Sequence, residues 1–214
     1  ERLRYVKVIE LIGGTVIDSQ TYNVECTHLI LGNPARNEKT LAAIASGIWV
    51  LQKAYLDACE KVHNFVQEEP YEWSCDAVKN RVNSPPSDEM GAKVVSASRY
   101  WRLKINRRKS MPDEAKGAFF GWHTLVFAAV KKIACFKRLL EAGGAKTYNL
   151  KSLSNNFEGI THVFLDENVI GKSVSKAQLR KVKNNGIPIL KLDYIPTFLS
   201  TEDFDSSEFA VVFE

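Results

Sequence analysis

The sequence contains no Cys-x-x-Cys, and its four cysteines, Cys26, Cys59, Cys75 and Cys135, stand far apart. That scatter argues against a zinc ribbon and a disulfide framework, so reduced cysteines in an intracellular compartment are expected. Cys26-x-His28 taken with Cys59-x-x-x-His63 fits the ligand spacing of no zinc module; a strand start and a helix end account for these residues. No apolar run approaches the roughly 20 residues needed to cross a bilayer, and no signal peptide is visible. Also missing are a Gly-x-Gly-x-x-Gly, a phosphate loop ending in Gly-Lys-Ser/Thr, and a Gly-x-Ser-x-Gly. These absences remove the commonest dinucleotide, nucleotide and hydrolase sites. The histidines do not cluster with carboxylates, which leaves an enzyme as the least expected class.

What is present is ordinary in bulk. A chain of 214 residues has room for two domains that each bury a core. A net charge of +4 favours anionic partners without naming one.

The informative feature is a duplication. Leu11-Ile12-Gly13-Gly14, Thr27-His28-Leu29-Ile30-Leu31 and Gly47-Ile48-Trp49-Val50-Leu51, closed by Tyr55-Leu56, form a series. Glu141-Ala142-Gly143-Gly144, Thr161-His162-Val163-Phe164-Leu165 and Gly186-Ile187-Pro188-Ile189-Leu190, closed by Tyr194-Ile195, repeat it in the same order. In the first copy, helical periodicity over 2–12 ends at the glycines, where a left-handed cap is tolerated. A short strand is expected at Thr15-Val16-Ile17, then a buried strand at 27–31, a helix over 37–46, a strand at 49–51 and a helix over 54–60. The second copy reads as a strand within 119–127, a helix at 132–142, strands near 145–148 and 161–165, a helix at 173–184, a strand at 188–191 and a helix at 193–199. Residues 209–213 suggest an added strand. The expected fold is α/β: two tandem repeats, each a small parallel sheet of about four strands flanked by helices. The first copy begins inside its first helix, so its first strand is expected upstream of Glu1.

Domain limits follow as 1–67 for the first repeat, 68–116 for a linker and 117–214 for the second. Glu68-Glu69-Pro70 and Ser84-Pro85-Pro86-Ser87 break structure in the linker. From 88 to 108 the pattern turns helical, with Val94, Ala97 or Ser98, Trp101 and Ile105 as the buried stripe. Arg99, Arg102, Lys104, Arg107, Arg108 and Lys109 make this helix basic, which opens a second reading as a binder of DNA ends or strand junctions.

The copies differ in charge at one helix start. Arg36 and Lys39, three apart, share a face where a helix follows a buried strand. Cations there oppose the positive end of the helix unless an anion, such as a phosphate, sits on them. Counting back from Gly47 and Gly186, Arg36 falls opposite Ser175 and Lys39 opposite Gln178, so the basic pair belongs to the first copy alone. Counting from the Gly-Gly pairs, Arg2 falls opposite Lys132. His28 and His162 hold equivalent strand starts, as structural residues do.

The paired Gly-Gly, Thr-His-apolar and aromatic last-helix marks resemble a tandem BRCT repeat pair. Arg36-Asn37-Glu38-Lys39, Phe65 to Trp73 and Phe136 to Lys146 are similar to the subfamily typified by the C-terminal pair of topoisomerase II-binding protein 1. The resemblance implies a non-catalytic phosphopeptide-binding module of a nuclear DNA-damage and replication checkpoint scaffold. Under it Lys39, Arg36 and Arg2 hold the phosphate, threonine preferred, and Lys132 with Asn37 reads residues beyond it. The hydroxyl residue of such pockets has no match here, because it would precede Glu1, and Tyr194-Ile195 stands where many repeats carry tryptophan. The implied partner is a phosphorylated Ser/Thr motif of a DNA-repair helicase or checkpoint kinase complex. DNA is secondary, no cofactor or membrane is expected, and a ligand-linked dimer stays open.

Overall fold

The computed structural model describes residues 1–73, 89–109, 117–150, 157–201 and 203–213. The first copy comprises α1 (Arg2–Leu11), β1 (His28–Leu31), α2 (Glu38–Ser46), β2 (Trp49–Gln52) and α3 (Ala54–Val62). A long helix, α4 (Glu89–Lys109), bridges to the second copy. There follow β3 (His123–Phe127), α5 (Val130–Ala142), β4 (Lys146–Tyr148), β5 (His162–Leu165), α6 (Lys176–Asn184), β6 (Ile189–Lys191) and α7 (Tyr194–Ser200). Cys75 and the Ser84–Ser87 breaker lie outside the described residues.

Both sheets are parallel, as helical crossovers between neighbouring strands require. The second has the order β4-β3-β5-β6, whereas the first consists of β1 and β2 among the described residues. The expectation of about four strands therefore holds for the second copy and not the first. Thr15–Ile17 is not a strand, and the second copy supplies the reason. Its counterpart β4 is an edge strand bonded only to β3, and β1 has no described strand on that side to carry such a ladder.

The tail differs from expectation too. Residues 209–213 make an isolated antiparallel bridge from Ala210 to Leu190 after a 3₁₀ turn at Ser206–Phe209, rather than a strand. The first copy does the same, with a 3₁₀ turn at Glu69–Tyr71 and a bridge from Glu72 to Leu51. The duplication thus extends to Trp73, whose N–H donates to the Val50 carbonyl at 3.0 Å.

One core spans both copies. Thr40 to Ala45 of α2 are all buried. The small Ala42, Ala43 and Ala45 let Leu139 and Leu140 of α5 and Ile195 and Leu199 of α7 approach closely. The predicted stripe of α4 (Val94, Ala97, Ser98, Trp101 and Ile105) closes over this layer. Trp101 Nε1 donates to the Leu199 carbonyl at 2.9 Å. Gly47 caps α2 with φ 72°, and a Cβ there would lie 2.8 Å from Ile105 Cδ1, so one glycine both ends the helix and seats α4.

Three cations of the basic face expected on α4 are engaged within the fold. Arg102 is buried; its Nε and guanidine nitrogen meet the two oxygens of fully buried Glu72 at 2.6 and 2.7 Å. Its guanidinium also lies 3.5 Å from the centre of the Trp49 ring. Arg99 joins Glu72 at 3.2 Å, and the Lys104 ammonium lies over the Tyr100 and Trp101 rings. These cations dock the linker helix onto β2 and the bridge behind it.

Candidate functional site

In the first copy α1, the segment after Gly14, β1 and the start of α2 surround a cleft of about 800 Å3. Arg2 enters it from the first turn of α1 and Lys39 from the first turn of α2; Ser19, Thr21, Gly32 and Lys53 also line it. Lys39 Nζ donates to the Ser19 carbonyl, a neutral partner. Among the described residues no carboxylate lies within ion-pair distance of Lys39, although every other site cation predicted from the sequence has one. Ser19 Oγ accepts from the Thr21 N–H at 3.2 Å and lies 3.4 Å from the Thr21 hydroxyl, so two hydroxyls sit beside this ammonium.

The remaining predicted residues divide by location. Arg2, lining the cleft, pairs with Asp18 at 2.7 Å, both largely exposed. Arg36 does not line the cleft; it reaches across to Asp193, just before α7 of the second copy, at 3.1 Å. Asn37 is the N-cap of α2, accepting from the Thr40 N–H at 3.0 Å. Lys132 pairs with Asp166 at 2.6 Å within the second copy. Arg2 and Lys39 thus line one cleft, while Arg36 and Asn37 stand at the inter-repeat edge and Lys132 is held elsewhere. Glu38, between them in sequence, forks onto Arg138 of α5 with two contacts of 2.7 Å, and Arg138 is the main reason its carboxyl is held below the usual range.

The sequence reading missed Ser19, Thr21 and Lys53. Lys53 pairs with Glu1 at 2.8 Å, and its side chain crosses the open face of Gly32. The signal for the hydroxyls was the polar run Asp18-Ser19-Gln20-Thr21 after the expected strand.

The second copy closes the same places with its own side chains. Ser175 and Gln178, opposite Arg36 and Lys39, form a reciprocal capping box on α6. Counting from the Thr-His pairs, Gly32 falls opposite Asp166, whose carboxylate holds Lys132 and accepts from the Asn168 N–H at 3.1 Å. Lys132 leads the causes that hold that carboxyl down.

His28 and His162 make matching contacts in the two copies, and His28 Nε2 also lies 3.2 Å from a Glu68 carboxylate oxygen. Thr27 and Thr161 hydroxyls each lie 2.8 Å from Nδ1 of the following histidine. His28 stacks on Tyr55 and His162 on Trp122. Among the described residues no group of three or more His, Cys, Asp or Glu could hold a metal ion, and no helix is long and apolar enough to cross a membrane.

Comparison with known proteins places this geometry. Residues 1–60 match the BRCA1 C Terminus (BRCT) domain model, and residues 116–211 match the TopBP1/SLF1 BRCT domain model. The SMC5-SMC6 complex localization factor protein 1 of Mus musculus is 32% identical over 209 residues, which is 97% of this chain and 18% of that protein. The Homo sapiens protein of the same name is 30% identical over 210 residues, again 97% of this chain and 18% of its own length. The chain therefore spans about a fifth of the length of these relatives. The S. pombe Brc1 BRCT5-BRCT6 crystal structure shares the fold with a TM-score of 0.54 at 18% identity, covering 94% of this chain and 87% of that one. The chain belongs to the BRCT family, as a tandem pair whose second repeat is of the TopBP1/SLF1 type.

Proposed function

We propose that this BRCT pair is a non-catalytic reader of a phosphorylated Ser/Thr motif, with the phosphate seated in the first-repeat cleft. The observation that carries this reading is Lys39, a half-buried ammonium in a cleft with a carbonyl for a partner and no carboxylate. A phosphate supplies the missing counter-charge through a short charge-assisted hydrogen bond. Arg2 is the second ligand; its exposed pair with Asp18 holds it weakly, so it can turn to a phosphate at little cost. The Ser19 and Thr21 hydroxyls add neutral donors.

Arg36 and Asn37, at the edge facing the second repeat, suit contact with peptide residues beyond the phosphate, and Arg36 also answers to Asp193 there. Lys132 joins such a groove only by leaving Asp166. The partner fits a phosphorylated motif in a nuclear genome-maintenance complex, in keeping with relatives named for localising the SMC5-SMC6 complex. A repair helicase or checkpoint kinase complex is the class we favour. The alternative, DNA-end binding through α4, loses Arg102 to the buried Glu72 pair.

The test is fluorescence anisotropy with a degenerate phosphothreonine peptide library and the same library made with threonine. Binding of the first and not the second supports the reading; equal binding overturns it. Arg2→Ala should weaken the phosphorylated library alone, by roughly tenfold for one charged hydrogen bond.

A further inference from the structure

Two stretches without Asp or Glu carry much of the positive charge of this chain: residues 90–112 of the linker, and residues 168–192 of the second repeat. Six of its 29 Lys and Arg (Lys172, Lys176, Arg180, Lys181, Lys183 and Lys191) fall between Asn168 and Leu192, a stretch without Asp or Glu. The other 23 are outnumbered by the 25 acidic residues, so without this stretch the chain is acidic. All six are exposed. Lys191 approaches Glu167 at 3.8 Å, and Lys183 lies 5.9 Å from the Phe213 ring centre. Among the described residues, Lys172, Lys176, Arg180 and Lys181 have no carboxylate within 4 Å.

The fold fixes how these cations are shown. Leu179 and Val182 are fully buried and lock the rotation of α6. Lys176, Arg180 and Lys183, at i, i+4 and i+7, then share the solvent face, with Lys181 beside them. The row is about 10 Å long at 1.5 Å per residue, enough to lie along neighbouring phosphates of a DNA strand. The matched helix of the first copy, α2, has no such face, because it is buried against α5.

We propose that the exposed face of α6 binds the sugar–phosphate backbone of duplex DNA without sequence preference. A phosphate backbone needs only a row of cations. An acidic peptide needs apolar anchors as well, and α6 exposes no large apolar side chain. The site is separate from the Lys39 cleft and does not rest on the phosphopeptide reading. It moves nucleic-acid contact from the linker helix, whose cations are largely engaged, to the second repeat.

The experiment measures anisotropy of a fluorescein-labelled mixed-sequence duplex of about 20 base pairs against the 214-residue chain across a salt series. The expected log–log slope lies between about −3.6 and −5.4, for about four to six phosphates neutralised. The triple variant Lys176→Glu, Arg180→Glu, Lys183→Glu should lose at least about tenfold in affinity and flatten the slope, while keeping wild-type affinity for the phosphothreonine library. The triple glutamine variant should lose less, in the same direction. Reversal of Arg107 and Arg108 should leave duplex affinity within about twofold, since α4 makes none of these phosphate contacts. Retention of duplex binding by the glutamate variant, absence of binding by the wild type at about 50 mM salt, or equally tight binding of poly-glutamate would overturn the proposal.

Discussion

The two repeats begin the same helix in opposite ways. In the second, Ser175 caps α6 and Gln178 reaches back to complete the box, so the orphan donors of that helix are met by its own side chains. In the first, the cap moves one place on, to Asn37, and the positions matching Ser175 and Gln178 carry Arg36 and Lys39. The cap no longer needs those side chains. One is turned to the partner repeat and the other to the cleft. A few ångströms away, glycine in one copy stands against a salt-bridged aspartate in the other. The helix starts of the two copies thus differ by small polar changes, beside a first-copy sheet of two strands among the described residues where the second has four.

The copies also differ in how the linker holds them, and the largest effect should come from breaking that difference. Arg102→Leu removes the two-point partner of buried Glu72, leaving it the longer contact with half-exposed Arg99, and should cost about 3 kcal/mol in denaturant unfolding. Next in size, Ser175→Ala opens the capping box of the second copy and should cost about 1 kcal/mol while leaving phosphopeptide affinity unchanged. A change in that affinity would mean that the helix starts of the two copies are not independent. The smallest effect concerns the stacked histidine of the second copy. Burial holds the His162 imidazole below its ordinary value, so the unfolded chain takes up a proton first as pH falls. The stability this residue contributes is present above about 6.5 and is lost as pH drops from there toward its folded value. Tm should therefore fall by a few degrees on acidification, and His162→Gln should flatten that part of the profile.

The fold was legible because the duplication repeats apolar pattern and glycine position, and those set strands, crossovers and helix ends locally. Thr15–Ile17 escaped because a strand needs a neighbour, and no local signal says whether one is there. Of the antiparallel bridges behind the last helices, the second copy's was expected as a full strand and the first copy's escaped, since a single bridge leaves no periodicity to read. Of the site, the charge difference at Lys39 and Arg36 was visible by counting. Their separation into cleft and inter-repeat edge was not, because it depends on Asp193, 157 positions away. The Glu38–Arg138 fork, 100 positions apart, was hidden in the same way. Composition also does not show that Arg102 of the basic linker is buried on Trp49 and Glu72.

The proposed reader has one phosphate site, and Lys39 makes it. Isothermal titration of the wild type and Lys39→Gln, which installs the second copy's residue in the first, tests it with a phosphothreonine peptide selected from the library. One peptide per chain is expected for the wild type, and a loss of about 10- to 100-fold for the variant, with no loss for the unphosphorylated peptide. Two peptides per chain, or undiminished preference for the phosphorylated form in Lys39→Gln, would contradict it.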